Sequence, residues 1–311
     1  MIISASRRTD LPAFYARWFW RRIQAGYCLV PNPFNPKQVA RISLLPTDVD
    51  AIVFWTRHAR PLLSILPKLD QRGYKYYFQY TITGYPKPIE ARTPPLPVAI
   101  KTFRSLAERI QPGTVIWRYD PIVFGPAFPA CEHLSRFSTV ARNLEGYTER
   151  VVISLVDCYK KTERRLGAMF KWGHEILREP ATDPQLFDLL SKMTRIARRH
   201  GMAIEACAQA EDFSQIGISR TKCIDDRLLS ARFGGTWPSA KDGGQRRFCG
   251  CIPSKDIGMV DSCSFGCVYC YATRSDDLGR RRYREHDESS PSLLRIAGIE
   301  QKTGSPFIEP M

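Results

Sequence analysis

No apolar run in this 311-residue chain approaches the roughly 20 residues that a membrane-crossing helix needs. Its first ten residues, MIISASRRTD, hold too short an apolar stretch for a secretory signal. The expectation is a cytoplasmic protein without membrane attachment. No internal repeat and no low-complexity linker is present, which argues against a solenoid or a string of tethered modules. Acidic residues are scarce: 31 Asp and Glu stand against 46 Lys and Arg, for a net charge of +15. The imbalance is concentrated in residues 1–120, with 18 basic and 7 acidic residues. Such a half can attract an acidic substrate or a polyanion, so nucleic acid is a candidate partner. A soluble protein of high pI with no such partner is the plain alternative. The run RRRYR at Arg280–Arg284 is flanked by Asp276, Asp277, Glu285, Asp287 and Glu288, and a mixed run of that kind reads as solvated surface or tail.

Hydrophobic residues make up 43% and charged residues 25%, ordinary for a globular chain able to bury a large core. Seven short segments read as strands, several of them nearly continuous apolar runs as expected for strands covered on both faces: Met1–Ser6, Tyr27–Pro31, Ala51–Thr56, Lys75–Thr83, Thr114–Asp120, Arg150–Asp157 and Met202–Ala208. Helical periodicity or helix punctuation falls between them, over Pro12–Gly26, Pro61–Gly73, Pro97–Ile110, Cys131–Leu144, Thr162–Leu177 and Asp183–Gly201. Pro67 either kinks the second of these or marks its start. Alternating strand and helix predicts an α/β fold, a complete or partial (β/α) TIM-like barrel, with an open doubly wound sheet as the alternative. The expected division is a barrel over residues 1–233, a Gly-rich, cysteine-bearing lobe over 234–274 and a C-terminal tail over 275–311, with a short helix near Leu293–Ile299.

Barrels carry their chemistry at the C-terminal ends of the strands. Here those ends are polar: Arg7, Arg8 and Asp10 follow the first strand, and Arg57, Gln79, Arg118, Asp120, Asp157 and Glu205 end or follow later ones. Singly, each has a structural explanation, Asp10 as a helix cap and Arg118 with Asp120 as an ion pair. As a set they form an expected rim around one mouth. Trp55, Tyr76, Tyr77 and Trp117 can stack bases or fill the barrel core.

Cysteine is unevenly used. Of ten, Cys28, Cys131 and Cys158 are scattered, whereas Cys207, Cys223, Cys249, Cys251, Cys263, Cys267 and Cys270 fall within 64 residues. Thiols stay reduced in the cytosol, so clustered ones point to metal or catalysis rather than to disulfides. The segment Asp261–Arg274, DSCSFGCVYCYATR, places three cysteines within eight residues with none after them. Four chemistries compete: a thioredoxin-like Cys267–Cys270 pair, structural zinc completed by Cys249 or Cys251, a closed iron–sulfur cluster, or a 4Fe–4S cluster on three cysteines with one open iron.

The spacing C-x3-C-x2-C, with an aromatic residue before the third cysteine, resembles the radical S-adenosylmethionine (SAM) signature, and CVYCYA is similar to the cluster loop of spore photoproduct lyase relatives. Together with SRRTDLPAF and CGCIPSKDIG, the loop also resembles a bacterial domain-of-unknown-function family over nearly the whole chain. The radical SAM resemblance implies that Cys263, Cys267 and Cys270 ligate a 4Fe–4S cluster and that Tyr269 lies beside the adenine of SAM. It further implies that an external donor of flavodoxin or ferredoxin type supplies an electron, and that the fourth iron is left for SAM. In that family the motif follows the first barrel strand, whereas here it comes late. A circular permutation reconciles the two, because first and last barrel strands can be neighbours. A Gly-Gly-Glu segment for the methionine end of SAM is missing, so that role would pass to other strand ends. Cys207, Cys223, Cys249 and Cys251 are candidates for a second metal site, iron–sulfur or zinc, or else are packed thiols. The function expected is radical SAM-type catalysis on an anionic or nucleic-acid substrate; the competing class is a non-catalytic iron–sulfur or zinc protein.

Overall fold

The computed structural model describes residues 1–157, 162, 165–167 and 183–296. Its centre is an eight-stranded, all-parallel sheet. In chain order the elements are β1 (Ile2–Ala5), α1 (Leu11–Phe14), α2 (Ala16–Ala25), β2 (Tyr27–Pro31), β3 (Val39–Ser43), β4 (Ala51–Thr56), α3 (Leu66–Gln71), β5 (Tyr76–Thr81) and α4 (Leu96–Ala107). Then come β6 (Val115–Ile122), α5 (Ala130–Leu144), β7 (Arg150–Leu155), α6 (Pro184–Arg199), β8 (Ala203–Cys207), β9 (Ser219–Thr221), α7 (Asp226–Phe233), β10 (Lys255–Asp256) and α8 (Asp276–Arg284). The sheet order is β10-β1-β4-β5-β6-β7-β8-β9. From β1 onward it follows the chain, and the last strand returns to lie beside the first.

Local sequence explains these elements. Asp10 caps α1 by accepting from the Ala13 amide at 3.0 Å, and Gly26 closes α2 in the left-handed conformation. Pro67 sits in the first turn of α3 and marks its start. Asp183 and Asp225 cap α6 and α7. Alternate strand residues face opposite ways. One face carries Phe54, Phe78, Trp117 and Ile153 into a layer shared with Trp18, Phe19, Phe103, Phe137, Leu189 and Met193 of the helices. The other carries Ile2, Ala51, Val53, Tyr77, Ile116 and Val152, which pack on one another and on Ile224, Leu229 and Ile252. Tyr76, Tyr77 and Trp117 are therefore core side chains, while Trp55 is half-buried under the Arg7 guanidinium, 5.0 Å from its ring centre.

Tyr27–Pro31 is a strand as expected, but it does not join the large sheet. It pairs antiparallel with β3 in a separate hairpin. Its burial alternates along the strand, which suits a ribbon with one face on the core and one toward solvent. Residues 275–296 lie against the first helices: the Trp18 indole donates to the Ser290 carbonyl at 2.9 Å, and Leu293 is buried. Cys158 and most of the helix expected over Thr162–Leu177 lie outside the described residues. Of the helix expected near Leu293–Ile299, residues 293–296 are irregular and the rest lies outside the described residues.

Candidate functional site

The cysteine loop begins five residues after β10 and reaches across the C-terminal ends of β1, β4 and β5. What fixes β10 beside β1 is Asp256. Its carboxylate accepts from Ser4 Oγ and Ser6 Oγ, each at 2.7 Å, and from the Arg7 amide at 2.9 Å. A Cβ on Gly258 would stand 2.1 Å from Ser6 Oγ, so the close approach depends on that glycine. The segments SRRTDLPAF and CGCIPSKDIG, which begin at Ser6 and Cys249, are thereby brought into contact.

The loop itself turns at two residues of positive φ, Asp261 at 59° and Gly266 at 71°. Aspartate tolerates that conformation because its short side chain bonds locally; here the buried Asp261 carboxylate accepts from the Arg274 amide at 2.6 Å and from Arg274 Nε at 2.8 Å. Tyr15 donates to the Ser262 carbonyl at 2.6 Å, Arg92 Nε to the Ser264 carbonyl at 2.7 Å, and the Val268 amide to the Ile89 carbonyl at 3.0 Å. Arg165 donates to the Cys270 carbonyl. Helix α8 presses on the other side, where a Cβ on Gly279 would lie 2.5 Å from the Cys263 carbonyl oxygen.

Cys263, Cys267 and Cys270 are held within electrostatic reach of one another. Burial pushes the Cys263 thiol up, with Cys270 and Asp10 adding to it. Burial also pushes Cys267 up to about 12, against the opposing effect of Arg57. Beside them, Arg57 Nη1 donates to Glu90 at 2.8 Å, Thr83 Oγ1 donates to the same carboxylate oxygen at 2.6 Å, and Tyr269 joins both Arg57 and Glu90 through its hydroxyl. Asp10 accepts from the Arg57 amide at 2.6 Å and Thr56 Oγ1 at 2.8 Å, and burial pushes its carboxyl up to about 7. Thr9 Oγ1 and Ser264 Oγ are buried without a hydrogen-bond partner among the described residues.

A second cysteine group lies on the sheet face that carries Ile2, Val53, Tyr77 and Ile116. Cys207 Sγ and Cys223 Sγ are 2.9 Å apart, Cys251 Sγ accepts from the Cys223 and Ile224 amides at 3.3 Å each, and the Cys251 thiol lowers Cys249 to about 7. Arg118 Nη1 donates to Cys223 Sγ at 2.9 Å while its Nη2 reaches Asp120 at 2.6 Å. Gln79 donates to the Cys223 carbonyl at 2.9 Å, so this residue serves the second group. Among the described residues, no three Cys, His, Asp or Glu side chains are arranged around one point as metal ligands.

The expected rim is thus partly assembled. Arg57, Asp10 and Tyr269 gather at the three-cysteine loop, and Arg7, Gln79, Arg118 and Asp120 at the second group. Arg8 is half-buried, its amide donating to Ser6 Oγ at 2.9 Å. Asp157 is exposed and pairs with Arg246 of the Gly-rich segment. Glu205 stands apart from this rim, 3.2 Å from Arg150, the first residue of β7. Glu90, Thr83 and Asp256 were not singled out by sequence reasoning. Glu90 sits in an irregular segment after β5, where no periodicity or motif marks it, and Thr83, the last residue of the strand expected over Lys75–Thr83, lies two residues beyond β5.

The model of a family described as "Domain of unknown function (DUF1848)" matches residues 2–272. The chain belongs to that family. The match takes in both cysteine groups of this DUF1848 chain and stops just after Cys270. No curated protein matches it. Among solved structures, one titled "Crystal structure of D-hydantoinase" is similar at 10% identity and a TM-score of 0.30, over 67% of this chain and 42% of that one, a likeness too slight to carry an argument.

Proposed function

We propose that this protein is a radical SAM-type enzyme, built on a circularly permuted (β/α) barrel, that holds a 4Fe–4S cluster on Cys263, Cys267 and Cys270. The observation that carries the proposal is the position of the three-thiol loop: it follows β10, and β10 lies beside β1 at the end of a parallel sheet. A strand that precedes the loop and neighbours the first strand stands where the resemblance asks for the strand before the motif. Three soft donors on one loop suit an iron–sulfur cluster. The buried hydroxyls of Thr9 and Ser264, without a hydrogen-bond partner among the described residues, are donors that a bound group can satisfy.

When bound, such a cluster with one open iron would take SAM and, given one electron from an external flavodoxin- or ferredoxin-type donor, release methionine and a 5′-deoxyadenosyl radical. The chain's own residues do the rest. Arg57 and Glu90 fix the Tyr269 hydroxyl, so the aromatic ring beside the second and third cysteines has one orientation. Asp10 ties the start of α1 to the end of β4, within electrostatic reach of Cys263. The basic excess of residues 1–120, 18 Lys and Arg against 7 Asp and Glu, favours an anionic substrate; nucleic acid is one member of that class. Continuous apolar packing below the mouth excludes water.

The test is anaerobic reconstitution with iron and sulfide, followed by dithionite and SAM. 5′-Deoxyadenosine should form in the native chain and be lost in each of Cys263→Ala, Cys267→Ala and Cys270→Ala. A reconstituted protein that binds no iron, or that leaves SAM intact under reduction, overturns the proposal.

A further inference from the structure

We propose that Cys207, Cys223, Cys249 and Cys251 form a four-thiolate site for one zinc-class ion, and that this ion staples the seam between β9 and β10. The seam is where the parallel sheet has its two edges. Each of the other sheet neighbours is joined by a hydrogen-bonded ladder. Across the seam, the Ile252 amide donates to the Ile224 carbonyl at 3.2 Å, and Cys251 Sγ accepts from two amides just beyond β9. The cysteines come from both sides of that gap. Cys207 ends β8, Cys223 follows β9, and Cys249 and Cys251 lead into β10. All four are buried.

Their sulfurs meet polar donors as well as apolar neighbours. A cysteine that only fills space is inert in apolar contacts. Here Cys251 sulfur receives two backbone N–H groups and Cys223 sulfur a guanidinium. Arg7 adds a second guanidinium within electrostatic reach of Cys223, Cys249 and Cys251, and its Nη2 is buried without a partner among the described residues. A divalent ion on four thiolates carries two net negative charges, and two arginines face it. Asp120 and Asp256 also act on those arginines, and each carboxylate is itself held by serine hydroxyls.

Size favours a single ion over a cubane cluster. Zn–S bonds of about 2.3 Å set tetrahedral sulfurs about 3.8 Å apart. Cys207 and Cys223 sulfurs, 2.9 Å apart as hydrogen-bonded thiols, must move apart by about 0.9 Å to reach that spacing, so closing the four thiols around one ion requires their rearrangement. A 4Fe–4S cluster demands more, since each thiolate caps a different iron.

The experiment uses the full chain, expressed with zinc and purified anaerobically under reducing conditions without chelator. Metal content is measured in the native protein, in a Cys207→Ser/Cys251→Ser variant and in a Cys263→Ala/Cys267→Ala/Cys270→Ala variant. The expectation is about one zinc per chain in the native and triple-alanine proteins, and at least about a tenfold loss in the double-serine variant. Should the double-serine protein not fold, cobalt(II) loaded into the triple-alanine variant decides: tetrahedral four-sulfur absorption supports the site. No zinc in the native and triple-alanine proteins, unchanged zinc in the double-serine variant, or no thiolate absorption with cobalt overturns it. Iron and sulfide in the triple-alanine protein, or a Cys207–Cys223 disulfide, likewise overturns it. The radical SAM proposal stands or falls separately, on the three-cysteine loop.

Discussion

Glu90 meets Cys267 through its backbone, in an antiparallel bridge, while its carboxylate meets the Tyr269 hydroxyl two residues on. One residue after β5 therefore fixes both the path of the cysteine loop and the ring inside it. The same carboxylate is the partner of Arg57, and both side chains are largely buried. Removing one member of a buried ion pair leaves the other uncompensated, at a cost of about 3–5 kcal/mol. Glu90→Gln keeps the shape and loses the charge. Urea unfolding should show a loss of about 3 kcal/mol, and iron content after reconstitution should fall with it. Unchanged stability would mean that Arg57 finds its counter-charge elsewhere.

Gly279 offers a test of how closely α8 supports the loop. A methyl group there meets the Cys263 carbonyl oxygen at 2.5 Å, a backbone atom that cannot rotate away. Gly279→Ala should cost about 1–3 kcal/mol by overpacking, and it should lower iron retention by shifting the first cysteine. Gly243→Ala is the control, because a Cβ there meets nothing within 4 Å. Thermal unfolding and iron per chain, measured on both, separate a local push from a general effect of alanine.

Much of this architecture was legible in the residues. Ala51–Thr56 is a strand with the expected ends, and five other expected strands lie in the parallel sheet, because residues buried on both faces make unbroken apolar runs. The hairpin partner Val39–Ser43 escaped notice because two of its five residues are exposed, leaving little apolar signal. The three-cysteine loop was legible because its ligand spacing is local. Glu90 and Asp256 were not, because their roles depend on contacts made 179 and 249 to 252 residues away. Glu205 looked like a strand-end site residue, but it sits in mid-strand and its partner is Arg150, a pairing that only the β7–β8 register reveals.

His133 predicts a specific acid sensitivity. It is fully buried between the Tyr119 hydroxyl at 2.9 Å and the Val123 carbonyl at 3.0 Å, and burial lowers its pKa from 6.5 to about 4. The neighbouring Arg136 lowers it and Glu132 raises it. With the folded value depressed, the unfolded chain takes up the proton first. This contribution is therefore fully present above pH 6.5 and is lost as pH falls through about 4. A shift of that size amounts to roughly 3 kcal/mol across the window. Unfolding free energies measured at pH 7, 6, 5 and 4 should decline accordingly, and the slope should flatten in His133→Gln. An identical slope in the variant would assign the acid sensitivity to other groups.

Arg118 and Asp120 allow the two cysteine groups to be examined for coupling. Arg118 bonds Cys223 Sγ, Gln79 and Asp120, and Asp120 in turn feels the charge of Arg57 at the loop. Burial opposes ionisation of Asp120, but Arg118, Ser154 and Arg57 together hold its pKa below the ordinary value. Arg118→Met and Asp120→Asn should each destabilise by about 3 kcal/mol or more, since each strands a buried charge. The double variant should lose less than their sum, with a coupling of about 0.5–3 kcal/mol. Iron retention carries the further information. If the polar chain links the two groups, Arg118→Met should weaken iron binding at Cys263, Cys267 and Cys270, although Arg118 contacts the other set of cysteines. Iron retention that follows only Arg57 and Glu90 variants, and ignores Arg118→Met, would establish that the two groups are independent neighbours on one sheet.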